Sequence, residues 1–199
     1  EHHTITATLS ELPSGYYRIV SAYTGGTSAS KSITSFQTQS NKLGWEVTDV
    51  NNGEQYWYIQ GNATDGYTIQ SAYFDSKKYM HTTTAGNSTT ASSLVEESEA
   101  SKYVISLISN SDQYTIKETE STSPLHGQYL IDSWSSGPLI TWAGGENSAS
   151  AWYFVPTTDV EAALASLNTL TAGIDYSKQV GTTVGTYSEP EGTTTEGLK

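Results

Sequence analysis

Apolar and polar residues alternate with a period of two along most of the chain. In Gly15-Tyr16-Tyr17-Arg18-Ile19-Val20-Ser21-Ala22, Tyr17, Ile19 and Ser21 fall on one face of an extended segment and Arg18, Val20 and Ala22 on the other. Turn chemistry separates such runs: Thr24-Gly25-Gly26, Asn51-Asn52-Gly53, Asp65-Gly66, Ser136-Gly137-Pro138 and Gly144-Gly145. After Pro156 the period changes to that of a helix. Thr158 and Glu161 form a capping box, and Val160, Ala163, Leu164, Leu167 and Leu170 lie on one helical face, with Gly173 as a stop. This predicts one amphipathic helix of about three or four turns, whose apolar stripe packs on the strands or on a missing partner.

The strand pattern repeats. A Tyr-x-Ile element occurs at Tyr17, Tyr67 and Tyr114, with spacings of 50 and 47 residues. An aromatic in an apolar strand closes each copy, at Trp57, Tyr103 and Trp152, with spacings of 46 and 49 residues. Two landmarks that keep one period define a threefold repeat. Each copy holds about four short strands, too few to bury their own apolar face, so the three share one core. The organisation predicted is a leading strand or arm over residues 1–14, repeats over 15–60, 66–108 and 113–156, and a helix plus linker over 157–199. Thr4 to Leu9 alternates as a strand, and Ile174 to Lys199 is a Gly- and Thr-rich tail.

Three units of this length, each opening on Tyr-x-Ile and closing near Gln-x-Trp, resemble the ricin-type lectin family. The literal motif occurs once, as Gln55-Tyr56-Trp57, and is altered to Ser101-Lys102-Tyr103 and Ser150-Ala151-Trp152. The resemblance spans Gly15 to Pro156 and implies an all-β fold, a β-trefoil followed by the C-terminal helix. It also implies sugar binding. Gly127 to Trp134 matches the family's stretch of an apolar pair followed by aspartate; aligned on Tyr129-Leu130, the aspartate's place falls on Ile131 and Asp132 comes one place late, so that its use as a ligand requires a bulge or a slipped register. Ile140-Thr141-Trp142 matches the strand whose aromatic supports the sugar, and Asn147 stands near a family polar contact. A carboxylate and an amide for the hydroxyls, with an indole for the C–H face of the ring, make a sugar site, and Asp132, Asn147 and Trp134 or Trp142 supply that set in the third repeat. In the first repeat Trp45 stacks on a ligand or serves the core or rim. In the second His81 takes the aspartate's place, the strand Ser92 to Glu96 has no aromatic, and the lobe reads as structural. Trp57 and Trp152 read as packing.

Composition narrows the function. Nine basic residues against 21 acidic ones give a formal charge of −12, which repels a phosphate backbone and makes nucleic acid a poor partner. No apolar run reaches the length of a membrane span, so membrane insertion is not expected. Fourteen Tyr and five Trp among many Ser, Thr and Asn suit sugar rings, although the strand preference of Tyr and Thr accounts for them equally. With no cysteine there is neither a disulfide framework nor thiol chemistry, a departure from plant members of the family that points to a bacterial source. No signal peptide opens the chain at Glu1, as expected of a mature chain or an excised piece.

His2 and His3 lack a third metal ligand at any metal-site spacing, and no cofactor is called for. The acidic runs at Glu96, Glu97 and Glu99 and at Glu118 and Glu120 read as solvated surface, and no Gly-x-Ser-x-Gly elbow, His-Glu-x-x-His helix or phosphate-cradling loop occurs. The expectation is a secreted, periplasmic or cell-surface module without catalytic activity. Its partners would be a glycan and the catalytic or adhesin domains linked to it in a larger chain. The alternative is a structural or protein-interaction module that has lost its sugar sites.

Overall fold

The computed structural model describes residues 11–23, 30–36, 43–74, 76–82, 93–118, 129–131, 140–142, 148–172 and 174, with the backbone alone for 129–131, 140–142 and 148. The strand predicted from Thr4 to Leu9, His2 and His3, Gly173 and the tail after Ile174 lie outside them.

Twelve strands form among the described residues, four from each repeat. They are β1 (Gly15–Ser21), β2 (Lys31–Thr34), β3 (Gly44–Val47) and β4 (Tyr56–Asn62), then β5 (Gly66–Ser71), β6 (Tyr79–His81), β7 (Ser93–Val95) and β8 (Tyr103–Leu107), and finally β9 (Tyr114–Glu118), β10 (Tyr129–Ile131), β11 (Ile140–Trp142) and β12 (Trp152–Thr157). The predicted Asp65-Gly66 turn joins β4 to β5. Gly66 adopts φ +81°, where a side chain is strained, and the Asn62 carboxamide accepts from the Thr64 and Asp65 amides.

Six of the strands close on themselves. β1 pairs with β4, β4 with β5, β5 with β8, β8 with β9, β9 with β12, and β12 with β1, all antiparallel. Closure leaves this ring without a free edge. The other six strands form three hairpins, β2–β3, β6–β7 and β10–β11, joined to the ring through β1, β5 and β9.

The register shows the repeat more strictly than the sequence does. The opening tyrosine of each unit faces its closing aromatic: Tyr17 opposite Trp57, Tyr67 opposite Tyr103, Tyr114 opposite Trp152. Each closing aromatic also faces the next unit, as Trp57 opposite Ser71, Tyr103 opposite Glu118 and Trp152 opposite Ser21. Inward positions therefore come in threes. Trp57, Tyr103 and Trp152, and Ile19, Ile69 and Ile116, are all fully buried in one continuous core. Burial raises the hydroxyls of Tyr17, Tyr67 and Tyr114 above the ordinary phenol range, so all three remain protonated hydrogen-bond donors, and the Tyr17 hydroxyl donates to the Pro13 carbonyl at 2.8 Å.

The single α-helix among the described residues, α1 (Asp159–Thr171), begins on the predicted box: Thr158 Oγ1 accepts from the Glu161 amide at 3.1 Å, and Glu161 Oε2 from the Thr158 amide at 2.8 Å. Of the two places the hydrophobic pattern left for the apolar stripe, the strands or a missing partner, the strands do not take it. Val160, Leu164, Leu167 and Leu170 are 71, 58, 49 and 51% exposed, so the large stripe does not pack on the strands. The helix docks through the opposite, small-residue face. Ala162 and Ala165 pack against Tyr56, beside Tyr16 and Ala72, and Ser166 is fully buried. The reason is the closeness of the approach. A Cβ on Gly53 would stand 2.4 Å from the Ser166 Cα, so only a face of small residues seats this deeply, and Thr169 Oγ1 then accepts from the Gly53 amide at 2.8 Å.

The cap gives the first testable consequence. Thr158→Ala is expected to cost about 1 kcal/mol of helix stability, read as lost amide-exchange protection in α1. Hydrogen bonds from the Thr157 and Thr158 side chains and the Thr158 amide hold the Glu161 carboxyl below its usual range. A depressed folded pKa means that the contribution is present above the ordinary glutamate pKa, about 4.3. It fades as pH falls through the lowered folded value. Helix protection should therefore weaken on acidification below about pH 4.3, and Glu161→Gln should remove that dependence.

Candidate functional site

The three hairpins are the elements the ring leaves outermost, and register makes their positions comparable. Val20, Gln70 and Lys117 hold one place in the ring, and their partners Ser32, Tyr79 and Tyr129 hold one place in the hairpins. It follows that Ile33, Met80 and Leu130 correspond, as do Thr34, His81 and Ile131. On the facing strands, Trp45, Leu94 and Thr141 correspond.

In the first hairpin, Gln55 and Trp57 act as a clamp. Trp57 Nε1 donates to the Ile33 carbonyl at 3.0 Å. Gln55 Nε2 donates to the Val47 carbonyl at 2.9 Å, and Gln55 Oε1 accepts from the Asp49 amide at 2.8 Å. The Gln-x-Trp motif thus fastens a hairpin to the ring, and both of its side chains are wholly buried. Trp45, across from Ile33, is half-buried, with the Lys31 ammonium 3.8 Å from its ring centroid. Glu46, across from Ser32, is exposed, with its carboxyl raised by partial burial and then by the nearby Glu54 carboxylate.

The second hairpin keeps the clamp with other groups. Ser101 Oγ accepts from the Thr82 amide at 3.0 Å and stands 3.2 Å from His81 Nδ1, while the Tyr103 hydroxyl bonds Thr82 Oγ1 at 2.9 Å. His81 is half-buried beside this clamp. Lys78 pairs with Glu96, just past the end of the adjoining strand β7. The sequence read Ser101-Lys102-Tyr103 as a degraded motif, whereas the structure shows its clamping role retained with a hydroxyl and a phenol.

The third hairpin is described by its backbone. Tyr129, Leu130 and Ile131 pair in unbroken register with Trp142, Thr141 and Ile140. Ile131 therefore holds the place of His81, and no bulge interrupts the described pairing of Tyr129–Ile131. Trp142 holds the register place of Glu46 and Val95, one position along from Trp45. Asp132, Trp134 and Asn147 lie outside the described residues.

No family model and no curated protein matches the sequence. Solved structures do. A ricin B-like lectin of Macrolepiota procera, solved in complex with lactose, superposes with a TM-score of 0.56 at 17% identity over 73% of this chain and 99% of that one. The designed threefold-symmetric protein ThreeFoil gives 0.54 at 12% over 72% and 99%. A salivary protein from a Culex mosquito, of a cysteine- and tryptophan-rich family, gives 0.54 at 12% over 75% and 98%.

The fold is a β-trefoil. The Gln-x-Trp clamp is what keeps this trefoil's first lobe seated, and the hydroxyl version does the same for the second. Of the sequence-predicted positions, Trp45 and His81 have described side chains, each in its own hairpin, and Trp142 has a described backbone place in the third. The trefoil therefore spreads them over three lobes. Among the described residues no three His, Asp or Glu side chains converge on one point, and no described helix is long and apolar enough to cross a membrane.

Proposed function

We propose that this trefoil is a non-catalytic carbohydrate-binding module of a larger secreted or surface-attached bacterial protein that acts on glycans. The observation that carries the reading is the division of its tryptophans. Trp57 and Trp152 are spent entirely in the core, whereas Trp45 is half-buried on an outer hairpin and Trp142 sits on another, outside the core positions of the ring. An indole held off the core on a clamped hairpin is a rigid surface for the apolar face of a sugar. The Macrolepiota lectin of the same fold was solved with lactose, which supports the reading. In the third lobe, Asp132, Asn147 and Trp134 are proposed to act with Trp142, hydroxyls being met by the carboxylate and amide. Shallow single sites gain affinity from a linked enzyme or a second module, which fits a piece of a modular chain.

A second reading, a structural or interaction trefoil without sugar sites, is favoured by the second lobe, where Leu94 takes Trp45's place and His81 stands against the clamp. Titration calorimetry with a glycan that binds the intact chain separates the two. Trp142→Ala and Asp132→Ala should each weaken binding by about tenfold or more without moving the unfolding midpoint. Unchanged affinity in both variants and in Trp45→Ala would rule out the hairpin indoles.

A further inference from the structure

The first two hairpins differ by one missing carboxylate. Lys31 and Lys78 occupy the same place, each just before the residue that pairs with the ring. On the second hairpin the Lys78 ammonium pairs with Glu96, which follows Val95, the partner of Tyr79. On the first hairpin the corresponding residue follows Glu46, the partner of Ser32, and is Val47. Val47 is 60% exposed, and Lys31, only 7% exposed, has no carboxylate within ion-pairing distance among the described residues. Its ammonium rests instead over the ring of Trp45.

A second donor lies beside it. Trp45 Nε1 is shut off from solvent and has no hydrogen-bond acceptor among the described residues. A buried N–H without an acceptor is costly, and an ammonium without a carboxylate is open to an anion. Here the two adjoin, where the neighbouring lobe supplies a glutamate. Glu46 does not fill the gap, because it pairs with Ser32 and so projects from the other face of the hairpin.

We infer that the first hairpin takes a sugar bearing a carboxylate, a uronic or sialic acid unit, with its carboxylate standing where Glu96 stands in the second lobe. The inference rests on the reading of the trefoil as a sugar-binding module, and adds to it a charge requirement at Lys31. The Lys31 ammonium donates to the carboxylate, and the half-exposed part of the Trp45 ring meets the sugar. The charge of −12 on the chain disfavours polyanions, so one carboxylate, and not a run of sulfates or phosphates, is the group selected.

The test follows the Trp45 indole N–H resonance in the isotope-labelled intact chain, assigned by its absence in Trp45→Phe. Methyl galacturonide, with its single carboxylate, and sialyllactose are titrated in parallel with their carboxyl-reduced counterparts. One of the acidic sugars should move the resonance and bind about tenfold more tightly than its reduced form. Lys31→Gln should lose the same factor. Val47→Glu, which installs the carboxylate found in the second lobe, should abolish binding of the acid and leave binding of neutral glycans elsewhere unchanged. Equal binding of acidic and reduced sugars, or an indole resonance that neither acid moves in a chain folded by circular dichroism, overturns the inference. If neutral glycans still bind elsewhere on that chain, the sugar-binding reading survives; if no glycan of any kind binds, that reading falls as well.

Discussion

Trp57→Ala is expected to lower the unfolding free energy by about 3–5 kcal/mol, the largest effect of any single substitution considered. The side chain is fully buried, faces Tyr17 across β1 and β4, and donates to the Ile33 carbonyl at 3.0 Å. Truncation leaves a cavity in the shared core and orphans a buried carbonyl, two costs that add. Because that carbonyl belongs to β2, the first hairpin should loosen along with the ring. Denaturant melts of Trp57→Ala beside Val160→Ala check this, since Val160 is 71% exposed and should change stability by no more than about 0.5 kcal/mol. Comparable small losses in both variants would contradict a core shared by all three repeats.

The second large effect is local. Gly53→Ala places a methyl 2.4 Å from the Ser166 Cα and 2.5 Å from its amide nitrogen, and backbone cannot yield there as a flexible side chain would. The helix has to move away, losing the Thr169 bond to the Gly53 amide and the packing of Ala162 and Ala165 on Tyr56. The expected penalty is about 1–3 kcal/mol, confined to α1. Amide exchange should rise throughout residues 159–171 while the ring strands keep their protection. Limited proteolysis should cut at the start of the helix and release a folded trefoil. Loss of protection across the whole molecule would show instead that the helix and the trefoil form one cooperative unit.

The ring was legible in the sequence because closure needs only period-two strands and a recurring Tyr-x-Ile, and the register turns those landmarks into facing pairs. The start of α1 was legible for a similar reason, since Thr158 and Glu161 act within one turn of chain. The docking face was not. Hydrophobicity pointed to Val160, Leu164, Leu167 and Leu170, but the contact is selected by size, through a glycine 113 residues away in sequence from Ser166. The clamp in the second lobe was hidden because Ser101 and Tyr103 share its role with Gln55 and Trp57 without sharing their chemistry. Lys31 gave no sequence signal at all, since its lack of a partner shows only when Val47 is placed against Glu96. In the third lobe, Ile131 takes the strand place corresponding to His81, as strict alignment expects, and Asp132 remains one step beyond it.

Whether this trefoil binds sugar is measured most directly by a glycan-array screen of the intact chain, with Trp142→Ala and Trp45→Ala alongside. Binding to a defined class of glycan, lost in at least one of the two variants while both remain folded, is the predicted result. A folded chain that binds no glycan at high concentration would contradict the sugar-binding reading, leaving the trefoil as a structural support and the exposed stripe of α1 as the surface to pursue.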